Sequence, residues 1–177
     1  MVETPARTGA PIGHDTVTIR FTKGQGKRDT LTVIRDDGTM TWSALSPNFA
    51  THDFMHVALE TTLNYRNAFF GLVGDGMDIE AFGETDPQTG RKPVLPAEAI
   101  YAETTVQTLW QYWISEDWPD AGALSDVLEI AWQQFDLPAP ARITNEQLSQ
   151  VREIFTGLLN RWDQVLPGET MEVTFAL

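Results

Sequence analysis

The stretch Thr16-Val17-Thr18-Ile19-Arg20-Phe21-Thr22 alternates threonine or arginine with Val17, Ile19 and Phe21. Successive residues of a strand point to opposite faces, so this run has one apolar and one polar face and predicts a half-buried strand. Outward from it, Lys23-Gly24-Gln25-Gly26-Lys27 reads as a turn and Thr30-Leu31-Thr32-Val33-Ile34-Arg35 as a second strand. Asp36-Asp37-Gly38 closes a hairpin, with glycine supplying the positive φ of the turn. Thr39-Met40-Thr41-Trp42-Ser43-Ala44 is the third strand, expected to bury Met40, Trp42 and Ala44. The same grammar returns at the far end in Thr170-Met171-Glu172-Val173-Thr174-Phe175. Three early strands and one late one predict a four-stranded antiparallel sheet with a single wet face, the last strand beside one of the first three.

Between the third and last strands the pattern turns helical. A first helix is expected from Phe49 to about Tyr65 and a short one from Asn67 to Val73, ending at Gly74-Asp75-Gly76. Residues 83–96, with Gly83, Pro87, Gly90, Pro93 and Pro96, read as a surface loop. A long helix from Ala97 to about Glu116 carries Val106, Leu109, Trp110 and Trp113 at buried-stripe spacing. Asp120 is placed to cap a fourth helix with Leu124, Val127, Leu128, Ala131 and Phe135 on its stripe, broken by Pro138 and Pro140. Thr144 and Gln147 form a T-x-x-Q capping box, opening a fifth helix with Leu148, Val151, Phe155, Leu158, Leu159 and Trp162 inward. The expectation is therefore one α+β domain over residues 1–177, its sheet packed on about five helices, with residues 1–14 an irregular leader.

Composition narrows the function. The chain has 177 residues and no cysteine, which removes disulfides, thiolate nucleophiles, iron–sulfur clusters and cysteine zinc sites together. There is no apolar run of membrane-spanning length and no signal-like N-terminus, so a cytoplasmic protein is expected. Net charge is −13, from 25 acidic against 12 basic residues. Nucleic acid and anionic membranes are disfavoured as partners, because phosphates call for a surplus of Lys and Arg on one face.

One segment carries the residue types of chemistry: His52-Asp53-Phe54-Met55-His56-Val57-Ala58-Leu59-Glu60. At about 100° per helical residue, His56 falls about 40° and Glu60 about 80° from His52, with Asp53 near 100°. Two histidines at i, i+4 can reach one ion, as on metallohydrolase helices. Imidazole with carboxylate suits a divalent transition metal, namely zinc, manganese, iron or nickel. His52 and His56 are the candidate ligands, and Glu60 or Glu103 would complete the shell. Glu103 borders the apolar stripe of the long helix, an odd place for a carboxylate without a partner. Asp53 stands where a zinc protease carries glutamate and is the candidate base or orienting group; being one methylene shorter, it weakens the protease reading. Asp75 and Asp78 are further carboxylates that a nearby cleft could use.

Two readings follow. In the first, the protein binds metal through the His52-x3-His56 helix, with metal-dependent hydrolysis as the activity such a site would support. In the second, it is a non-catalytic interaction or structural domain, a homodimer through an apolar helix face, with both histidines buried and structural. Other motifs carry less: Gly71-Leu72-Val73-Gly74-Asp75-Gly76 lacks the lysine of a phosphate loop and ends a helix instead of opening one. Trp110, Trp113, Trp132 and Trp162 sit on or beside helical stripes and read as packing.

The run from Thr51 to Glu60, followed by Ala68-Phe69-Phe70-Gly71-Leu72-Val73 and by Leu95-Pro96-Ala97-Glu98-Ala99, resembles a family of small uncharacterised bacterial proteins. In these an H-D-x-x-H helix precedes an aromatic-Gly-Leu helix. The resemblance spans about the middle third of the chain. It implies a bacterial source and carries no activity over to any residue.

Overall fold

The computed structural model describes residues 16–47, 49–83, 85, 90, 92–135 and 137–177. The expected leader at residues 1–14 lies outside them. The strands are β1 (Thr16–Thr22), β2 (Thr30–Arg35), β3 (Met40–Ala44) and β4 (Thr170–Ala176). They form one antiparallel sheet in the order β3-β2-β1-β4, so the C-terminal strand lies beside the first. Ile19 faces Val33 on one side and Val173 on the other. Five helices follow the hairpins: α1 (Phe49–Leu63), α2 (Phe69–Gly74), α3 (Ala97–Ile114), α4 (Ala121–Gln133) and α5 (Asn145–Asp163). A short 3-10 turn, Ile79–Phe82, lies between α2 and α3. The architecture is α+β.

The alternation of β1 does what its sequence predicts. Val17, Ile19 and Phe21 are buried with Leu31, Val33, Met171 and Phe175 on the helix-facing side. The other face carries Arg20 and Glu172, paired at 2.5 Å. Gly38 takes φ +82° in the hairpin turn, where Arg35 N–H donates to Thr39 O at 2.9 Å.

β3 departs from expectation. Val33 points inward and its cross-strand partner is Thr41, so Thr41 is buried while Met40 and Trp42 stand 61% and 58% exposed. The apolar residues of β3 mark the wrong face because register to β2, not local hydrophobicity, decides which side meets the core. Thr41 Oγ1 in turn accepts Ile79 N–H at 3.2 Å, tying the 3-10 turn to the sheet.

The helix ends have local causes. α1 stops two residues before the expected Tyr65 because Asn64 adopts a left-handed φ of 54°. Tyr65 N–H then reaches back to Glu60 O at 2.9 Å, a Schellman-type closure. Glu116, at φ 56°, ends α3 the same way, with Asp117 N–H on Tyr112 O. Asp120 caps α4 through Ala123 N–H at 2.9 Å, and both halves of the Thr144–Gln147 capping box are formed on α5. α4 packs on α3 with Leu124, Ser125, Leu128 and Trp132 buried. That rotation turns Val127 and Phe135 outward, against the expected stripe. Among the described residues no helix is long and apolar enough to cross a membrane.

α1 is the centre of the helical layer. It touches α5, α3, α2 and β4, and every residue from His52 to Glu60 is buried. A helix enclosed on all sides is normally apolar all round. Four of these nine residues are polar, and they build the site.

Candidate metal centre

His52 and His56 lie one turn apart on α1, and α3 packs alongside to bring Glu103 across from them. His56 Nε2 is 3.1 Å from Glu103 Oε2. His52 Nε2 is 3.8 Å from Glu103 Oε1, and the two imidazole centroids are 5.0 Å apart. One donor atom from each of His52, His56 and Glu103 lies within 4.8 Å of the others, so this group could hold a metal ion. Donors on one tetrahedral zinc stand about 3.4 Å apart when each bond is near 2.1 Å. Closing the group around an ion therefore takes a shift on the order of 1 Å, which the half-exposed Glu103 side chain can make.

Glu60 is placed differently. Its Oε1 faces the opposite ring nitrogen, His56 Nδ1, at 2.8 Å, while Oε2 accepts Phe70 N–H at 3.0 Å. Ala68 offers no side-chain cap to α2, so the carboxylate of α1 supplies one to its exposed amides. Gly71 lets the segment leading into α2 pass close to the helix: a Cβ there would stand 1.9 Å from Arg66 O. Of the two candidate third donors, Glu103 shares the cluster and Glu60 backs His56 from behind. Helical spacing placed Glu60 near the histidines and the apolar stripe of the long helix marked Glu103 as out of place, but neither signal told which nitrogen each would face.

The electrostatics follow from burial. Desolvation opposes charge on His56, but hydrogen bonds to Glu103 and Glu60 outweigh it and push its pKa up to about 10. Burial raises Glu103, and the His56 imidazolium overrides that and holds it at about 2. Glu60 is pushed up by complete burial, against the pull of His56 and the α2 amides. Asp53 is likewise raised by desolvation, against His52 and His56.

Asp53 is buried beside His52, its Oδ1 3.6 Å from Nδ1, beyond a hydrogen bond. Asp53 Oδ2 and His52 Nδ1 have no hydrogen-bond partner. All four of His52, Asp53, His56 and Glu103 line a cavity of about 580 Å³. Phe49 stacks on the His52 ring with centroids 4.7 Å apart, and Trp110 meets it edge-on at 5.6 Å. Phe69 lies 5.6 Å from the His56 ring. These aromatic neighbours were not singled out from sequence as part of the site; Phe49 at three residues before His52, and Trp110 at seven after Glu103, share the relevant helix faces and were the available signal. Asp75 and Asp78 are exposed and do not line the cavity; Asp78 faces Arg35 at 3.8 Å. No protein-family model, no curated protein and no solved structure matches the chain.

Proposed function

We propose that the protein binds a divalent transition metal (zinc, manganese, iron or nickel) through His52, His56 and Glu103. The observation that carries this reading is the orientation of His56. Glu60, fully buried and anchored on α2, takes the Nδ1 side and turns Nε2 toward Glu103 and the cavity. A carboxylate behind the distal nitrogen of a ligating imidazole fixes its ring and strengthens it as a donor. Three protein donors leave coordination positions for water and substrate, the arrangement of catalytic rather than structural metal sites. Hydrolysis is the chemistry this supports, with Asp53 beside His52 as the base that takes a proton from the attacking water.

The alternative is a non-catalytic interaction domain. It draws on the pairing of both His56 ring nitrogens by carboxylates and on Val127 and Ile130, exposed at 41% and 67% on α4, as a homodimer face. Metal analysis and calorimetric zinc titration of protein purified without a nickel column separate the two. Wild type is expected to bind one zinc per chain, and the His52→Ala/His56→Ala protein none. Equal, sub-stoichiometric metal in both would sink the metal reading.

A further inference from the structure

The cavity beside the metal donors has two unlike ends. On one side its lining follows α3 and the segment before it, from Glu103 through Ala99 and Leu95 to Lys92. Glu103 and Ala99 are about 6 Å apart along the helix axis, whereas Leu95 and Lys92 precede Ala97, the first residue of α3. His52, His56 and Ala99 are buried, Leu95 is half-buried and Lys92 is exposed, so the cavity leads from the donor cluster outward to Lys92. Ser43, half-buried, and Ser46, exposed, add two hydroxyls from the β3 side. Between the ends the wall is apolar. Phe69 stands 5.6 Å from the His56 ring and 4.8 Å from Phe82, and Ile79 and Leu95 extend that surface.

Charge is divided in the same way. The cluster end carries the Glu103 carboxylate, and the His56 imidazole there is already held between Glu103 and Glu60. Among the described residues, Lys92 is the only lysine or arginine of the lining, and no carboxylate forms an ion pair with it. A volume of about 580 Å³, with an apolar wall and a few placed polar groups, fits a small-molecule site.

We propose that the cavity takes a small monocarboxylic acid with an apolar body, its carboxylate outward on Lys92 and its uncharged end against the His52–His56–Glu103 cluster. The apolar wall selects the body. One unpaired ammonium matches one negative charge, and Glu103 repels that charge from the opposite end. Ser43 and Ser46 can donate to the same carboxylate, which has room for several hydrogen bonds. An amine would meet Lys92 at one end and find Glu103 committed to His56 at the other. A dianion would leave a charge unmatched in a chain of net charge −13. For the hydrolysis proposed above, the substrate class is then an apolar acid with an ester or amide group at its inner end. The carbonyl carbon gains the hydroxyl of water as the C–O or C–N bond breaks, and the departing alcohol or amine takes the remaining proton. That step rests on the metal reading; the pairing with Lys92 does not.

The test is a fluorescence and 15N NMR titration of the full chain, stripped of metal with EDTA and dialysed, using 6-acetamido-2-naphthoate and its methyl ester. The ester keeps the ring and the amide, removes the charge and is the more apolar of the two. Saturable single-site binding is expected, with amide shifts at the cavity lining. The acid should bind about three- to tenfold more tightly than the ester, as one partly solvated charged hydrogen bond allows. That preference should shrink at about 1 M NaCl, where exposed charges are screened. Lys92→Gln should abolish the preference and Lys92→Arg should keep it. No saturable binding, an ester that binds as well as the acid, or a preference unchanged in Lys92→Gln would overturn the proposal. Because no metal is present, a Lys92-dependent preference without zinc binding removes only the metal reading. Zinc binding without that preference removes only this one.

Discussion

Helices α1 and α5 pack against each other, yet they are held in the fold by different means. α5 is amphipathic: Leu148, Val151, Phe155, Leu158 and Trp162 are buried on one stripe, and a capping box closes its start. Its polar residues stay in water, where they need no protein partner. α1 has no such division, for nine consecutive residues are buried and His52, Asp53, His56 and Glu60 are among them. Each of these must recover inside the protein what it lost from solvent. Glu60 and His56 do so through each other, Phe70 and Glu103. His52 and Asp53 do so only in part. The difference teaches that burying a polar helix face obliges the fold to supply its hydrogen-bond partners, an obligation α1 meets for His56 and Glu60 and only in part for His52 and Asp53.

The contrast breaks most directly at Glu60. Glu60→Ala strands His56 Nδ1 and Phe70 N–H in a closed interior and should destabilise the fold by about 3–5 kcal/mol in urea titration, as loss of one partner of a buried pair does. A change below about 1 kcal/mol would mean that the polar residues of α1 are as dispensable as those on the wet face of α5. Glu60→Gln keeps the shape and should lower zinc affinity about 10–100-fold by calorimetry. A Gln147→Ala control on α5 should leave that affinity unchanged.

Protonation sharpens the comparison further. The pKa of His56 is raised from 6.5 to about 10 in the folded chain, so its stabilising contribution is complete below pH 6.5 and lost as pH climbs toward 10. The raised carboxyls of Asp53 and Glu60 push in the same sense. The urea midpoint of metal-free protein should fall across that window, and a flat profile would contradict the ion pairing of His56. Zinc affinity should run the opposite way, gaining about tenfold per pH unit below 10 as the ligand sheds its proton. The smallest effect is expected on α5: Thr144→Ala removes the cap for about 1 kcal/mol and leaves zinc binding as it was.

These two helices also mark how far the sequence could be read. The stripe and cap of α5 use local rules, and Thr144, Gln147 and the five buried residues follow from spacing alone. The four strands were legible for the same reason, since alternation is a local signal. Which face of β3 turns inward was not, because Thr41 is buried by its pairing with Val33, a residue of another strand. The outward turn of Val127 and Phe135 on α4 likewise depends on how that helix seats on α3. In the site, helical spacing brought His52, His56 and Glu60 to one side of α1 and flagged Glu103 as out of place. The division of labour between the two glutamates was invisible, because it is set by where α2 and α3 dock.

Glu60 also makes the start of α2 a listening post. The carboxylate that accepts Phe70 N–H is the one that holds His56, so whatever draws electron density from the imidazole is passed on to the backbone amides at the start of α2. The Phe70 amide resonance therefore offers a spectroscopic readout of events on the far side of the ring, from a residue fully shielded from water.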